Sequence, residues 1–231
     1  MLKSLIEMPA FGILITIVAY RIGLYVKEKT NSVLANPIVI SVILISALLI
    51  GTGTPYETYK TGSAGIHYFL GPLTVALGLM LYRQRHIIKT HFFSLIIGVT
   101  SGVLASFFTI YGLSKAFGLD AFLTQSLFPK SITTPMALSL VEIIGGDPVL
   151  TIFMVIVTGI FGGLIAPLFP KVFKHLSSIG VGVGIGTRAH AVGTSKAIEM
   201  GETEGALSSA AIGLAGLITV LLVPLLYALF N

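Results

Sequence analysis

Residues 149–170 read VLTIFMVIVTGIFGGLIAPLFP and contain no Asp, Glu, Lys or Arg. The run is long enough for the roughly 20 apolar residues that carry an α-helix across a bilayer. Residues 92–114 and 206–230 are charge-free in the same way. The stretch 38–54 is a shorter charge-free run, and 61–82 holds only His67 as a titratable group beside its tyrosines. Composition points the same way, with 55% hydrophobic and 10% charged residues and a mean hydropathy of +0.98. A soluble domain carries about 25% charged residues, and a water-facing surface cannot be built from so few. The expectation is an all-α integral membrane protein.

At the N-terminus, Lys3 precedes an apolar stretch, as in a signal peptide. Glu7 and Pro9 interrupt its start, however, no small-x-small cleavage site follows, and the stretch continues to Val26. A first helix over about 8–26 fits better, with Arg21 reaching toward the interface. The chain has no Cys, which excludes disulfides, iron–sulfur clusters and thiolate chemistry. Its 14 Lys and Arg against 9 Asp and Glu suit a membrane protein with basic cytoplasmic loops and give no reason to expect nucleic acid.

The basic residues sort the loops. Arg21, Lys27 and Lys29 follow the first segment, Arg83, Arg85 and Lys89 the third, and Lys171 and Lys174 the run at 149–170. The positive-inside rule places all three loops in the cytoplasm and the acidic stretch 199–204 outside. The N-terminus is then outside and the C-terminus inside. Keeping this arrangement requires residues 121–145 to enter and leave on one side, as a re-entrant hairpin or a helix pair.

A weak internal repeat accompanies this pattern. Asn36-Pro37, Gly51 and Pro55 recur as Asp147-Pro148, Gly162 and Pro167, while Gly71, Gly78 and Gly98 recur as Gly186, Gly193 and Gly213. The loop charges send the matched segments in opposite directions. Gly- and Pro-interrupted inverted repeats characterise secondary transporters and put the substrate near the midplane. The expected architecture is a single transmembrane domain over 1–231, a multi-helix bundle of inverted repeats with discontinuous or re-entrant segments. Its pseudo-repeats cover about 8–115 and about 121–231. Most of the glycines are expected to serve helix packing: Gly98, Gly102 and Ser106 form one small-residue stripe, and Gly182, Gly186, Ala189, Gly193 and Ala197 another.

Two segments are too polar to be plain spans. The first is Pro129-Lys130-Ser131-Ile132-Thr133-Thr134-Pro135. Thr134 suits an N-cap and Pro135 the first turn of a helix. Free N–H groups there, with Lys130, Ser131 and Thr133, would cradle a carboxylate. A capped interfacial loop with Lys130 among the headgroups explains the same residues equally well. The second segment, 180–199, places Arg188, His190 and Lys196 inside membrane-like sequence, where ionisable groups are costly and face a polar cavity or one another. On a continuous helix, Arg188, Ser195 and Glu199 share a face, and His190 lies about 200° from Arg188. Either the helix breaks near the glycines or only one of the two lines a site. Thr187, His190 and Thr194 form a second polar face. His190 could carry a proton near neutral pH or make a single hydrogen bond in a helix contact. No Walker A, His-Glu-x-x-His or Gly-x-Ser-x-Gly motif occurs, and the histidines lack metal-ligand spacing. No enzymatic role, cofactor or metal is expected.

The motif at 129–135 resembles the most characteristic motif of the LrgB/CidB family. So do Gly186-Thr187-Arg188-Ala189-His190-Ala191-Val192-Gly193-Thr194, Glu199-Met200-Gly201-Glu202 and Glu204-Gly205-Ala206-Leu207-Ser208-Ser209. The similarity runs from about Asn36 to the C-terminus. One position departs: a small residue, often Ser, is expected where Arg188 stands. The resemblance implies two functions. Bacterial members are described as antiholin-like proteins, paired with a small LrgA/CidA-type membrane protein and linked to murein hydrolase activity and lysis. Plant members are plastid-envelope glycolate/glycerate transporters, and some bacterial pairs are associated with pyruvate uptake.

The expectation is therefore a secondary transporter of small monocarboxylates in a bacterial plasma membrane, with an antiholin-like regulator as the alternative. Substrate would be held by Lys130, Ser131, Thr133, Thr134, Thr187, His190 and Thr194, and His190 or Glu199 would carry a coupling proton. The expected partners are the monocarboxylate, the lipid bilayer and an LrgA/CidA-type protein. A homodimer is compatible with the sequence, but no stretch specifies its interface.

Overall fold

A computed structural model describes residues 9–30, 35–69, 85–173 and 175–230, with single positions between 72 and 83. Much of the expected 61–82 segment, including Gly71 and Gly78 of the repeat, lies outside the described residues, as does Lys174. All regular elements among the described residues are helical. The chain forms two compact units, 1–73 and 74–231.

The first unit holds α1 (Pro9–Thr30), α2 (Pro37–Thr52) and α3 (Tyr56–Ser63). Asn36 caps α2, its Oδ1 accepting the Ile38 N–H at 2.9 Å, and Pro37 occupies the first turn, where a missing N–H costs nothing. Gly53 ends α2 in the left-handed region (φ 64°). Helix α1 meets its neighbours through glycine. A Cβ on Gly12 would stand 2.6 Å from the Gly62 backbone, and one on Gly23 would stand 2.6 Å from the Pro37 carbonyl oxygen.

The second unit contains α4 (Arg85–Thr90), α5 (Phe92–Ala116), α6 (Ala121–Leu127), α7 (Thr134–Ile144), α8 (Pro148–Ile165), α9 (Phe169–Val172), α10 (Ser178–Met200) and α11 (Glu202–Phe230). Among the described residues, four helical stretches are long and apolar enough to cross a membrane: 10–30, 92–116, 148–172 and 202–230. Their outward faces are apolar. On α11, Leu217, Leu221 and Leu225 are exposed, while Ala211, Ala215, Thr219 and Val223 turn inward. Helix α10 packs through small residues. Gly182 and Gly186 receive the backbone of α11 at Glu204 and Ser208, and Gly98 and Gly102 of α5 receive Val183 and Thr187. Both expected stripes are thus contact faces.

Residues 121–144 settle into two short helices of 7 and 11 residues joined by a 3-10 turn, Phe128–Ser131. At about 1.5 Å per residue neither crosses a hydrocarbon core of about 30 Å. The two ends of the segment are tied together. The Asp147 N–H donates to Ser126 Oγ at 2.7 Å, and Thr151 Oγ1 donates to the Ser126 carbonyl at 2.8 Å. The Asp147 carboxylate caps α8 by accepting the Leu150 N–H at 2.7 Å. The hairpin tip is held by Phe128, which stacks on Phe107 of α5 with ring centroids 4.7 Å apart, and by buried Ile132 and Leu140.

Candidate functional site

The hairpin break and α10 meet beside the middle of α8. Lys130 of the hairpin and Arg188 of α10 line one cavity of about 400 Å³, whose α8 wall runs from Met154 to Ile165. This volume falls within the range of small-molecule sites. Met154, Val157, Phe161 and Ile165 make the wall apolar, and Thr158 supplies the one hydroxyl on it. Among the described residues, no acidic side chain lines the cavity. Among the described residues, the ion pairs are Lys60–Glu57 and Lys196–Glu199, so neither cavity cation is paired. Lys130 Nζ donates to Ser131 Oγ at 3.1 Å.

A second, much smaller cavity lies on the other side of the same two segments. Gly102, Ser106, Ser131, Thr187 and Thr219 line it, with Phe107 and Phe128 among its apolar walls. Successive residues of each segment therefore serve different cavities: Lys130 and Arg188 the larger, Ser131 and Thr187 the smaller. The Thr187 hydroxyl donates to the Val183 carbonyl one turn back, at 2.7 Å.

Helix α10 is broken, but at His190 and not at a glycine. His190 has φ 37° and ψ −138°, a conformation that favours glycine. Its buried ring lies against Gly159, where a Cβ would stand 3.0 Å from Nε2, and Nε2–H donates to the Val155 carbonyl at 2.9 Å. The bond and the close fit oppose a backbone cost of order 1–3 kcal/mol. Gly162 makes a similar close approach to Ala189.

The remaining sequence-predicted residues are dispersed. Thr194 is buried against α11, its Oγ1 2.6 Å from Ser208 Oγ. Glu199 pairs with Lys196 at 2.7 Å and is exposed. Helix α7 begins one residue earlier than the sequence suggested, so the N-cap is Thr133 and Pro135 takes the second helical position, where its lack of an N–H is harmless. Thr133 makes no side-chain cap, and its hydroxyl is buried without a hydrogen-bond partner. Arg188, which the family resemblance set apart as a departure, lines the cavity. The pairing of Ser208 with Thr194 had no sequence signal, because it joins two helices through their packing.

A bundle of long apolar helices, a hairpin too short to span and a cationic cavity at a broken helix define a multi-pass integral membrane protein. The LrgB-like family matches residues 16–229. "Antiholin-like protein LrgB" of Bacillus mycoides (strain KBAB4) is 36% identical over 94% of this chain and 95% of its own length. The proteins of the same name from Bacillus cereus (strain B4264) and Bacillus anthracis (strain CDC 684 / NRRL 3495) are each 35% identical over the same shares. No solved structure matches. The chain belongs to the LrgB-like family and is a multi-pass protein of the plasma membrane.

Proposed function

We propose that this chain acts as an antiholin-like regulator in the plasma membrane, restraining murein hydrolase activity and lysis together with a small LrgA/CidA-type membrane protein. The observation that carries this reading is the nearly end-to-end match to proteins of that name. The test is autolysis of a bacterial host lacking its own gene pair, followed by turbidity and by zymography of murein hydrolases. Expression with an LrgA/CidA-type partner should slow lysis several-fold, and neither protein alone should do so. Unchanged lysis from a membrane-inserted pair would refute the regulator.

A second reading is favoured by the cavity: a secondary carrier of small organic anions, with monocarboxylates such as pyruvate, glycolate or glycerate as the expected substrates. An unpaired Lys130 at a hairpin tip beside the middle of α8 has no evident use in a pure binding scaffold. In this reading Lys130 supplies the charge, and Ser131 and Thr187 line the small cavity on its other side. Thr133 and Thr134 add hydroxyls at the start of α7, while His190 and Thr194 hold the broken helix in place. His190 and Glu199 remain the candidates for a coupling proton. The inverted-repeat arrangement belongs to the same proposal, since Asn36 and Asp147 each cap a matched helix that has Pro in its first turn. Proteoliposomes holding this protein alone should take up labelled pyruvate, glycolate or glycerate saturably, and faster under a pH gradient if a proton is coupled. Lys130→Ala should lower uptake at least tenfold, the scale of one lost charge-assisted contact. Wild-type flux in a folded Lys130→Ala protein would remove Lys130 from the mechanism. No flux at all would leave the regulator as the sole reading.

A further inference from the structure

We infer that Arg188 makes the α8 cavity selective for a small organic dianion, a dicarboxylate, over a monocarboxylate of the same size. The inference rests on reading that cavity as a ligand site and names the substrate class its charge selects.

Lys130 and Arg188 reach the cavity from different segments, the hairpin turn and α10, and line it together. The acidic groups on the surrounding elements stand elsewhere. Asp147 caps α8, Glu142 is exposed on α7, Glu199 is paired with Lys196, and Glu202 and Glu204 open α11. Arg188 is exposed, and two like charges lining one cavity repel each other unless an anion lies with them. A monocarboxylate brings one negative charge and leaves the cavity with a net positive charge. A dicarboxylate answers both charges. Arg suits this role because its planar fork binds a carboxylate through two parallel N–H donors, whereas Lys acts as a point charge.

The walls select the rest of the ligand. In the same cavity, the α8 side offers Met154, Val157 and Phe161, with one hydroxyl at Thr158. Hydrocarbon between two carboxylates fits such a wall, and a fully hydrated inorganic anion does not.

The test is equilibrium binding to the full chain in nanodiscs of neutral phosphatidylcholine, so that lipid headgroups do not compete. Succinate, butyrate and inorganic phosphate are titrated at neutral pH by calorimetry. Succinate should bind about tenfold or more tightly than butyrate, the factor expected of one added charge-assisted contact. Arg188→Gln should collapse that ratio toward one, and Arg188→Lys should keep most of it, with folding of both checked by thermal melting. Equal binding of succinate and butyrate overturns the inference, as does a preference that survives Arg188→Gln or an absence of binding to folded protein. Phosphate binding as tight as succinate overturns the organic dianion. Succinate that binds but is not carried into vesicles would sink the carrier and leave the dianion site standing. Pyruvate flux without succinate preference would do the reverse.

Discussion

Two glycines on α10, two positions apart, should respond to the same substitution with opposite signs. At Gly186 a Cβ would meet the Ser208 carbonyl oxygen, would lie 2.8 Å from the Ser208 Cα and would lie 2.9 Å from the Ala211 Cβ. Two of these atoms are backbone and cannot swing aside, so α10 and α11 must separate. Overpacking of this kind costs about 1–3 kcal/mol, against a helix-propensity gain of about 1 kcal/mol for Ala over Gly. At Gly184 the nearest atom is Phe169 Cε1 at 3.8 Å, an ordinary contact. Gly184→Ala should therefore keep the propensity gain and stabilise by up to about 1 kcal/mol. The two variants should differ by about 2 kcal/mol, or about 4–8 °C in a chain of this size. Purified variants would be melted in one detergent at one scan rate, because unfolding of such proteins is often irreversible and the apparent midpoint is then rate-dependent. A Gly186→Ala protein melting at or above Gly184→Ala would refute the close approach of α10 and α11.

Three further perturbations probe the elements that build the site. Ser126→Ala removes the acceptor of the Asp147 N–H and should lower stability by about 1–3 kcal/mol; proteolysis at the hairpin should speed up with it, and unchanged stability would mean the hairpin closes by packing alone. Thr194→Val and Ser208→Ala should each destabilise by about 1 kcal/mol or more, and the double variant by less than the sum, giving a coupling energy of about 1 kcal/mol by denaturant melts. His190→Gly should be more stable than His190→Ala, by about 1 kcal/mol or more, because both lose the bond to Val155 but only Ala retains an unfavourable positive φ. The ordinary helix ranking runs the other way, so Ala above Gly in a thermal melt would deny the break.

The membrane helices were legible because a bilayer imposes a one-dimensional test of length and hydrophobicity on each segment by itself. The runs at 92–114, 149–170 and 206–230 passed it without reference to any other part of the chain. The helices that open at Asn36-Pro37 and Asp147-Pro148 start at the dipeptides noted for the internal repeat, and their caps involve only a few neighbouring residues. Lys130, Arg188 and His190 stood out as ionisable groups in apolar surroundings, a local property.

The sequence by itself thus determined the class of protein, the helices long enough to cross the bilayer, and the two polar segments that stand out from them. Only the tertiary structure decided how those segments are used. It closed the hairpin by joining Ser126 to Asp147, separated by 21 positions. It brought Arg188 to Lys130, and sent His190 and Thr194 to Val155 and Ser208. It also put the break in α10 at His190, between Gly186 and Gly193 and not on a glycine. Gly182 and Gly186 are consumed by close packing on α11 in regular helix, while His190 holds the strained conformation through a bond to a different helix. Backbone preference is a property of one residue, but the partner that opposes its cost comes from elsewhere in the fold.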